Sequence, residues 1–171
     1  MRTMKLRPFD IDQDFDSIKD WINDERSHAM WCANNVDYPV TREEFGELMQ
    51  NVAVRCGDKP YVATDDNGNV EGFFCYSTDS DTREGMLKFV VVDPDQRGKG
   101  VAKQMLRMVI DSAFDEAQAM AVNLMVFTEN ERAKKCYESV GFKERETTPG
   151  AFKYKDETWG RCNMVIVNPK A

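Results

Sequence analysis

One histidine, His28, and five scattered cysteines, Cys32, Cys56, Cys75, Cys136 and Cys162, are all the imidazole and thiol in 171 residues. No C-x-x-C pair occurs, so neither a disulfide framework nor a zinc site is expected, and one imidazole leaves little for a His-based metal cluster or triad. No apolar run approaches the ~18 residues of a membrane span. Met1-Arg2-Thr3-Met4-Lys5 leads into polar sequence without the apolar core of a signal peptide, which points to the cytosol. Positive charge is also in short supply. With 23 Lys and Arg against 30 Asp and Glu, the net charge of −7 repels nucleic acid and favours cationic partners. The length suits one substantial core, hence a single domain over 1–171.

Periodicity divides the chain into strands and helices of ordinary size. Met4 to Arg7 reads as a first strand; Asp10 to Asp16 supplies N-cap residues for a helix with Phe15, Ile18, Trp21 and Ile22 on one face. Arg26 to Val40 loses periodicity and reads as an exposed, aromatic-rich loop, ended by the capping box Thr41-Arg-Glu-Glu of a second helix. Tyr61 to Thr64 and Val70 to Tyr76 flank Asn67-Gly68, a strong hairpin signal, and Met86 to Val92 is the next strand. A helix from Gly100 to about Ala117, a buried strand Ala121 to Phe127 and a helix Asn130 to Val140 stopped by Gly141 follow. Phe142 to about Thr147 and Trp159 to Val167 close the chain as strands.

The stretch Gln96-Arg97-Gly98-Lys99-Gly100-Val101-Ala102 sits between the apolar run Phe89 to Val92 and a helix. In such a turn the glycines permit positive φ and close backbone approach, so N–H groups converge on a phosphate, and the following helix adds its positive end. Arg97 and Lys99 supply charge at the rim; Ala102 leaves the first turn uncovered. A P-loop would need a Lys-Ser/Thr pair, and Lys103 stands where a dinucleotide fingerprint needs its third small residue. The loop alone therefore indicates a phosphate and leaves the nucleotide open.

A second motif is Asn130-x-x-Ala133-x-x-x-Tyr137-x-x-x-Gly141-Phe142. Asn130 and Tyr137 are seven apart, about 20° in facing direction on an α-helix. They share a face with Ala133 and Lys134 between them. Together with Arg97-x-x-Gly100-x-Ala102 after a strand ending Val92-Asp93-Pro94, the pair resembles the GNAT acetyltransferase superfamily over about residues 60 to 145.

The resemblance implies a mixed α/β (α+β) fold. Its sheet has six to seven mostly antiparallel strands flanked by helices and splays between the strand ending at Val92 and Ala121 to Phe127. It also implies direct acetyl transfer from acetyl-CoA to a primary amine of a small molecule or peptide, with no metal. The CoA pyrophosphate is expected over Arg97, Gly98, Lys99, Gly100, Val101 and Ala102. Backbone groups of Val90, Val91 and Val92, with Asn130, are expected along the pantetheine arm, and Tyr137 is expected as general acid. A phenol of pKa ~10 holds its proton at neutral pH, as that role requires. Where some members carry a base glutamate this chain has Met86, so Glu84, His28 or water remains open as base. Asp24, Glu25, Trp31 and Tyr38 lie where an acceptor amine is expected, and polyamines, amino sugars, amino acids and peptide amines all remain possible. A homodimer is common in the family. The alternative is a catalytically silent module that binds an acyl-CoA to regulate or scaffold.

Overall fold

The computed structural model describes residues 3–171; Met1 and Arg2, which open the stretch read for a signal peptide, lie outside the described residues. Seven strands form one sheet: β1 (Lys5–Pro8), β2 (Lys59–Thr64), β3 (Val70–Thr78), β4 (Glu84–Val92), β5 (Ala121–Phe127), β6 (Lys143–Tyr154) and β7 (Glu157–Val167). Their order is β1-β2-β3-β4-β5-β7-β6, and every pair is antiparallel except β4–β5. The mixed, mostly antiparallel α/β architecture expected from the sequence is the one observed.

Among the described residues five α-helices cover the two faces: α1 (Ile11–Ile18), α2 (Glu25–Cys32), α3 (Arg42–Cys56), α4 (Val101–Asp115) and α5 (Glu131–Val140). Met105, Leu106, Val109 and Ile110 of α4 and Tyr137 of α5 pack against Leu87, Leu124, Val126 and Met164 on one face. Phe15 and Ile18 of α1 with Phe45, Leu48, Met49 and Val52 of α3 cover Val62, Phe73 and Cys75 on the other. Further along that second face, Ala29 of α2 meets Phe127 and the fully buried Trp159.

Local signals set several boundaries. The Thr41 hydroxyl accepts from the Glu44 N–H, starting α3 as its capping box requires. Phe142 N–H bonds the Tyr137 carbonyl and Gly141 N–H that of Glu138, the two bonds of a Schellman ending for α5.

Two expectations are corrected. Residues 26–40 are not simply an exposed loop, because Glu25–Cys32 is helical: Asp24 caps it by accepting from the Ser27 N–H, and His28, Ala29 and Cys32 are buried. The last hairpin is also longer than predicted, since β6 runs on to Tyr154 across a register shift between Thr148 and Phe152. Among the described residues no strand pairs with its outer edge, so Pro149 at the irregularity breaks no ladder bond there.

One buried ion pair ties α1 to the sheet. The Asp14 carboxylate, 1 % exposed, receives both Arg7 guanidinium nitrogens at 2.7 and 2.8 Å and the Asp10 N–H at 2.8 Å. Burial pushes its pKa up, but Arg7 and the amide outweigh burial and hold it below the ordinary value. Its contribution is therefore complete above about pH 4, where the unfolded carboxyl ionises, and is lost as pH falls through the lower native value. Asp14→Ala is expected to cost about 2–3 kcal/mol at neutral pH, read by urea denaturation, with the difference shrinking in acid.

Candidate active site

The site begins where the sheet's one parallel ladder ends. β4 and β5 pair from Glu84–Ala121 to Leu87–Leu124 and no further, although the strands continue to Val92 and Phe127. The geometric cause is at Phe89, whose φ is 54°. Against β3 the register passes from Cys75–Lys88 to Phe73–Val91, so Phe89 and Val90 together oppose Phe74. Such a bulge bends and twists the strand. A non-glycine residue in this region costs about 1–2 kcal/mol, so the surroundings must hold it. Trp31 of α2 helps to do so, its indole N–H donating to the Phe89 carbonyl at 2.8 Å while its ring stacks on Phe45. Past the bulge, Val90 and Val92 pack toward α4 and α5 and Val91 toward α1 and α3. Among the described residues no strand pairs with the β5-facing edge of β4 beyond Leu87.

That free edge leads into the glycine-rich turn. Gly98 and Gly100 have φ of 80° and 76°, and an added Cβ at either would meet nothing within 4 Å, so the backbone is bare toward solvent. Arg97 and Lys99 are exposed, and no carboxylate among the described residues pairs with either. The other four helices each have a side-chain N-cap and an acidic residue in the first turn; α4 has neither. Its first-turn N–H groups and positive end are thus left for an external anion. Val101 is buried and anchors α4 to the core, while Ala102 is half-buried beside it.

On α5 the predicted strip is divided. Asn130 is the N-cap, its Oδ1 accepting from the Ala133 N–H at 3.3 Å, which leaves its amide NH₂ group as a donor. Lys134 turns to β6 and pairs with Glu144 at 2.9 Å. Tyr137 is 8 % exposed in the core on the α4/α5 side, edge-on to Phe142. No protein group among the described residues hydrogen-bonds its hydroxyl. Burial, and then Cys136, raise the phenol pKa above its ordinary value, so the proton stays on at neutral pH.

Where β4 and β5 diverge, a cleft of about 240 Å³ opens beneath α2. Leu87 and Val126 from the α4/α5 side meet Met86, Met125 and Phe127 from the other, so the opening joins the two faces of the sheet. Tyr137 does not line this cleft. The candidate bases do not line it either: Glu84 accepts from both Arg145 guanidinium nitrogens at 3.0 Å and from Asn123, while His28 is buried with Nε2 2.8 Å from the Val36 carbonyl. Asp24 is engaged as a cap, and Glu25 pairs with Lys155 at 3.0 Å. Sequence reasoning missed Phe89, Met125 and Arg161 as cleft residues. Alternation along β7, with Trp159, Arg161 and Asn163 on one face, was the available signal for the last.

The acetyltransferase (GNAT) family model matches residues 12–142. The chain belongs to the GNAT acetyltransferase family. This GNAT chain is 30% identical over 131 residues to the SPbeta prophage-derived uncharacterized N-acetyltransferase YokL of Bacillus subtilis, spanning 75% of this chain and 68% of YokL. It is 22% identical over 149 residues to the aminoglycoside N(6')-acetyltransferase type 1 of Klebsiella pneumoniae, spanning 80% and 72%. In fold it resembles the spermidine N-acetyltransferase of Vibrio cholerae solved in complex with CoA and spermine, with a TM-score of 0.80, 21% identity and 98% and 96% of the two chains covered. The chain is thus a GNAT acyltransferase, and its family uses acetyl-CoA.

Proposed function

We propose that this GNAT enzyme moves the acetyl group of acetyl-CoA directly to a primary amine of a small molecule or peptide, with Tyr137 as the acid toward the departing sulfur. One observation carries the proposal: the β4–β5 ladder stops at Leu87–Leu124, so the bare edge of β4 lies between an uncapped helix start and an apolar cleft. The residues present fit the cofactor, since the open backbone over Gly98 and Gly100 suits a diphosphate and a free strand edge suits an extended amide chain. Acetyl-CoA supplies the activated thioester when bound. The Gly98, Gly100, Val101 and Ala102 amides hold its diphosphate, with the Arg97 and Lys99 side chains at the rim; the Lys99 N–H itself is spent on the Gln96 carbonyl. Backbone groups of Val90, Val91 and Val92 and the Asn130 amide hold the pantetheine arm.

These residues act chiefly by positioning, which suits attack by an amine on a thioester. An N–H of the free β4 edge stabilises charge growing on the acyl oxygen. The Tyr137 hydroxyl, protonated and without a partner among the described residues, donates to the sulfur. Because the cleft lining contains no Asp, Glu or His, the attacking amine loses its proton to water. Glu84→Gln is therefore expected to keep kcat and its pH profile while losing about 1 kcal/mol of stability through the Arg145 contact, checked by paired rate and denaturation measurements.

Calorimetric titration tests the cofactor site. Acetyl-CoA is expected to bind and ATP and NAD not to compete; equal preference for all three would leave only a general phosphate site.

A further inference from the structure

We infer that the acceptor is an α-amino acid with an apolar side chain, and that Arg161 reads its carboxylate; this rests on the proposed use of the β4/β5 cleft as the acceptor site. The cleft walls are supplied mainly by Met30, Met86, Met125, Phe89 and Phe127, and the lining holds no Asp or Glu. Met125 leaves 47% of its surface exposed there, an apolar and adaptable contact. A polyamine or amino sugar would bring several ammonium groups to a wall with no anion.

Two cations line the same cleft, and they differ. Lys88 is neutralised by Asp58, whose buried carboxylate lies 2.8 Å from its ammonium. Arg161 is exposed, directly opposite Phe127 in the β5–β7 ladder and on the same face of β7 as Trp159 and Asn163. No carboxylate among the described residues pairs with it. The acids on the neighbouring segments are engaged elsewhere: Glu157 with Arg26 at 3.1 Å, Glu25 with Lys155, and Glu129 with the Thr128 hydroxyl, which donates to it at 2.8 Å. The cleft therefore presents one uncompensated guanidinium on an apolar wall. A carboxylate meets that group with two parallel N–H···O bonds. The substrate's side chain then lies along the methionines, and its amine faces the opening between β4 and β5.

The test compares L-phenylalanine with 2-phenylethylamine, which lacks only the carboxylate, and with spermidine. Each is titrated calorimetrically into the protein saturated with CoA, and acetyl-CoA is titrated separately. L-Phenylalanine is expected to bind at least ~10-fold more tightly than 2-phenylethylamine, as a charge-assisted pair implies, with spermidine weakest. Arg161→Ala is expected to remove that preference, and Arg161→Lys to restore part of it. Equal or tighter binding of 2-phenylethylamine or spermidine, no binding of L-phenylalanine, or an unchanged preference in Arg161→Ala overturns the assignment. If acetyl-CoA still binds in that case, the acceptor class alone falls; if it does not, the cofactor reading falls with it.

Discussion

Gly100→Glu is expected to weaken acetyl-CoA binding by more than ~100-fold, from loss of the amide contacts and from anion repulsion at the phosphate site. Gly100 is the N-cap of α4 with φ 76°, and the space over its Cα is empty. A glutamate would place a carboxylate in that space, where it would cap α4 itself and exclude the diphosphate. The left-handed backbone adds about 1–2 kcal/mol of strain for any side chain. Gly100→Ala carries the same strain without the charge and separates the two effects. It should retain measurable binding, and titration of both variants checks the account. Equal affinity of wild type and Gly100→Glu would place the diphosphate elsewhere.

Tyr137→Phe is expected to lower kcat by ~10²- to 10⁴-fold, the range for loss of a positioned acid, with acetyl-CoA affinity nearly unchanged. The ring is buried against Phe142 and the α4/α5 core, so phenylalanine preserves the packing. Among the described residues the hydroxyl has no protein partner to strand. What changes is one donor, kept protonated by burial. A variant that turns over at the wild-type rate removes Tyr137 from the chemistry. A variant that loses cofactor affinity in proportion assigns it to binding.

Short-range chemistry made much of this fold legible. Thr41 capping Glu44, Asn67-Gly68 between two alternating runs and Gly141 after an amphipathic helix each act within a few residues, so spacing alone exposed them. The uncapped start of α4 was legible for the same reason. α2 was not, because its buried face includes His28, satisfied by the Val36 carbonyl, which no apolar period marks. Asp24 three residues before Ser27 was the one local hint. The Phe89 bulge has no sequence signature, since its strained φ is held by Trp31, 58 residues away. Glu84 stood open as a base because Arg145, its partner, lies 61 residues on and meets it only across the assembled sheet. The loop acids Asp24 and Glu25 suggested a site for cations, whereas the folded chain engages both elsewhere and leaves an apolar cleft edged by Arg161.

The central claim is acyl transfer to an amine within the β4/β5 opening, and free-thiol release from acetyl-CoA tests it most directly. The protein is assayed with and without amines drawn from amino acids, polyamines, aminoglycosides and basic peptides. The account predicts thiol release that requires an amine and rises with pH as that amine loses its proton. Acetyl-CoA binding with no amine-dependent release across the panel would contradict it and leave a silent acyl-CoA module.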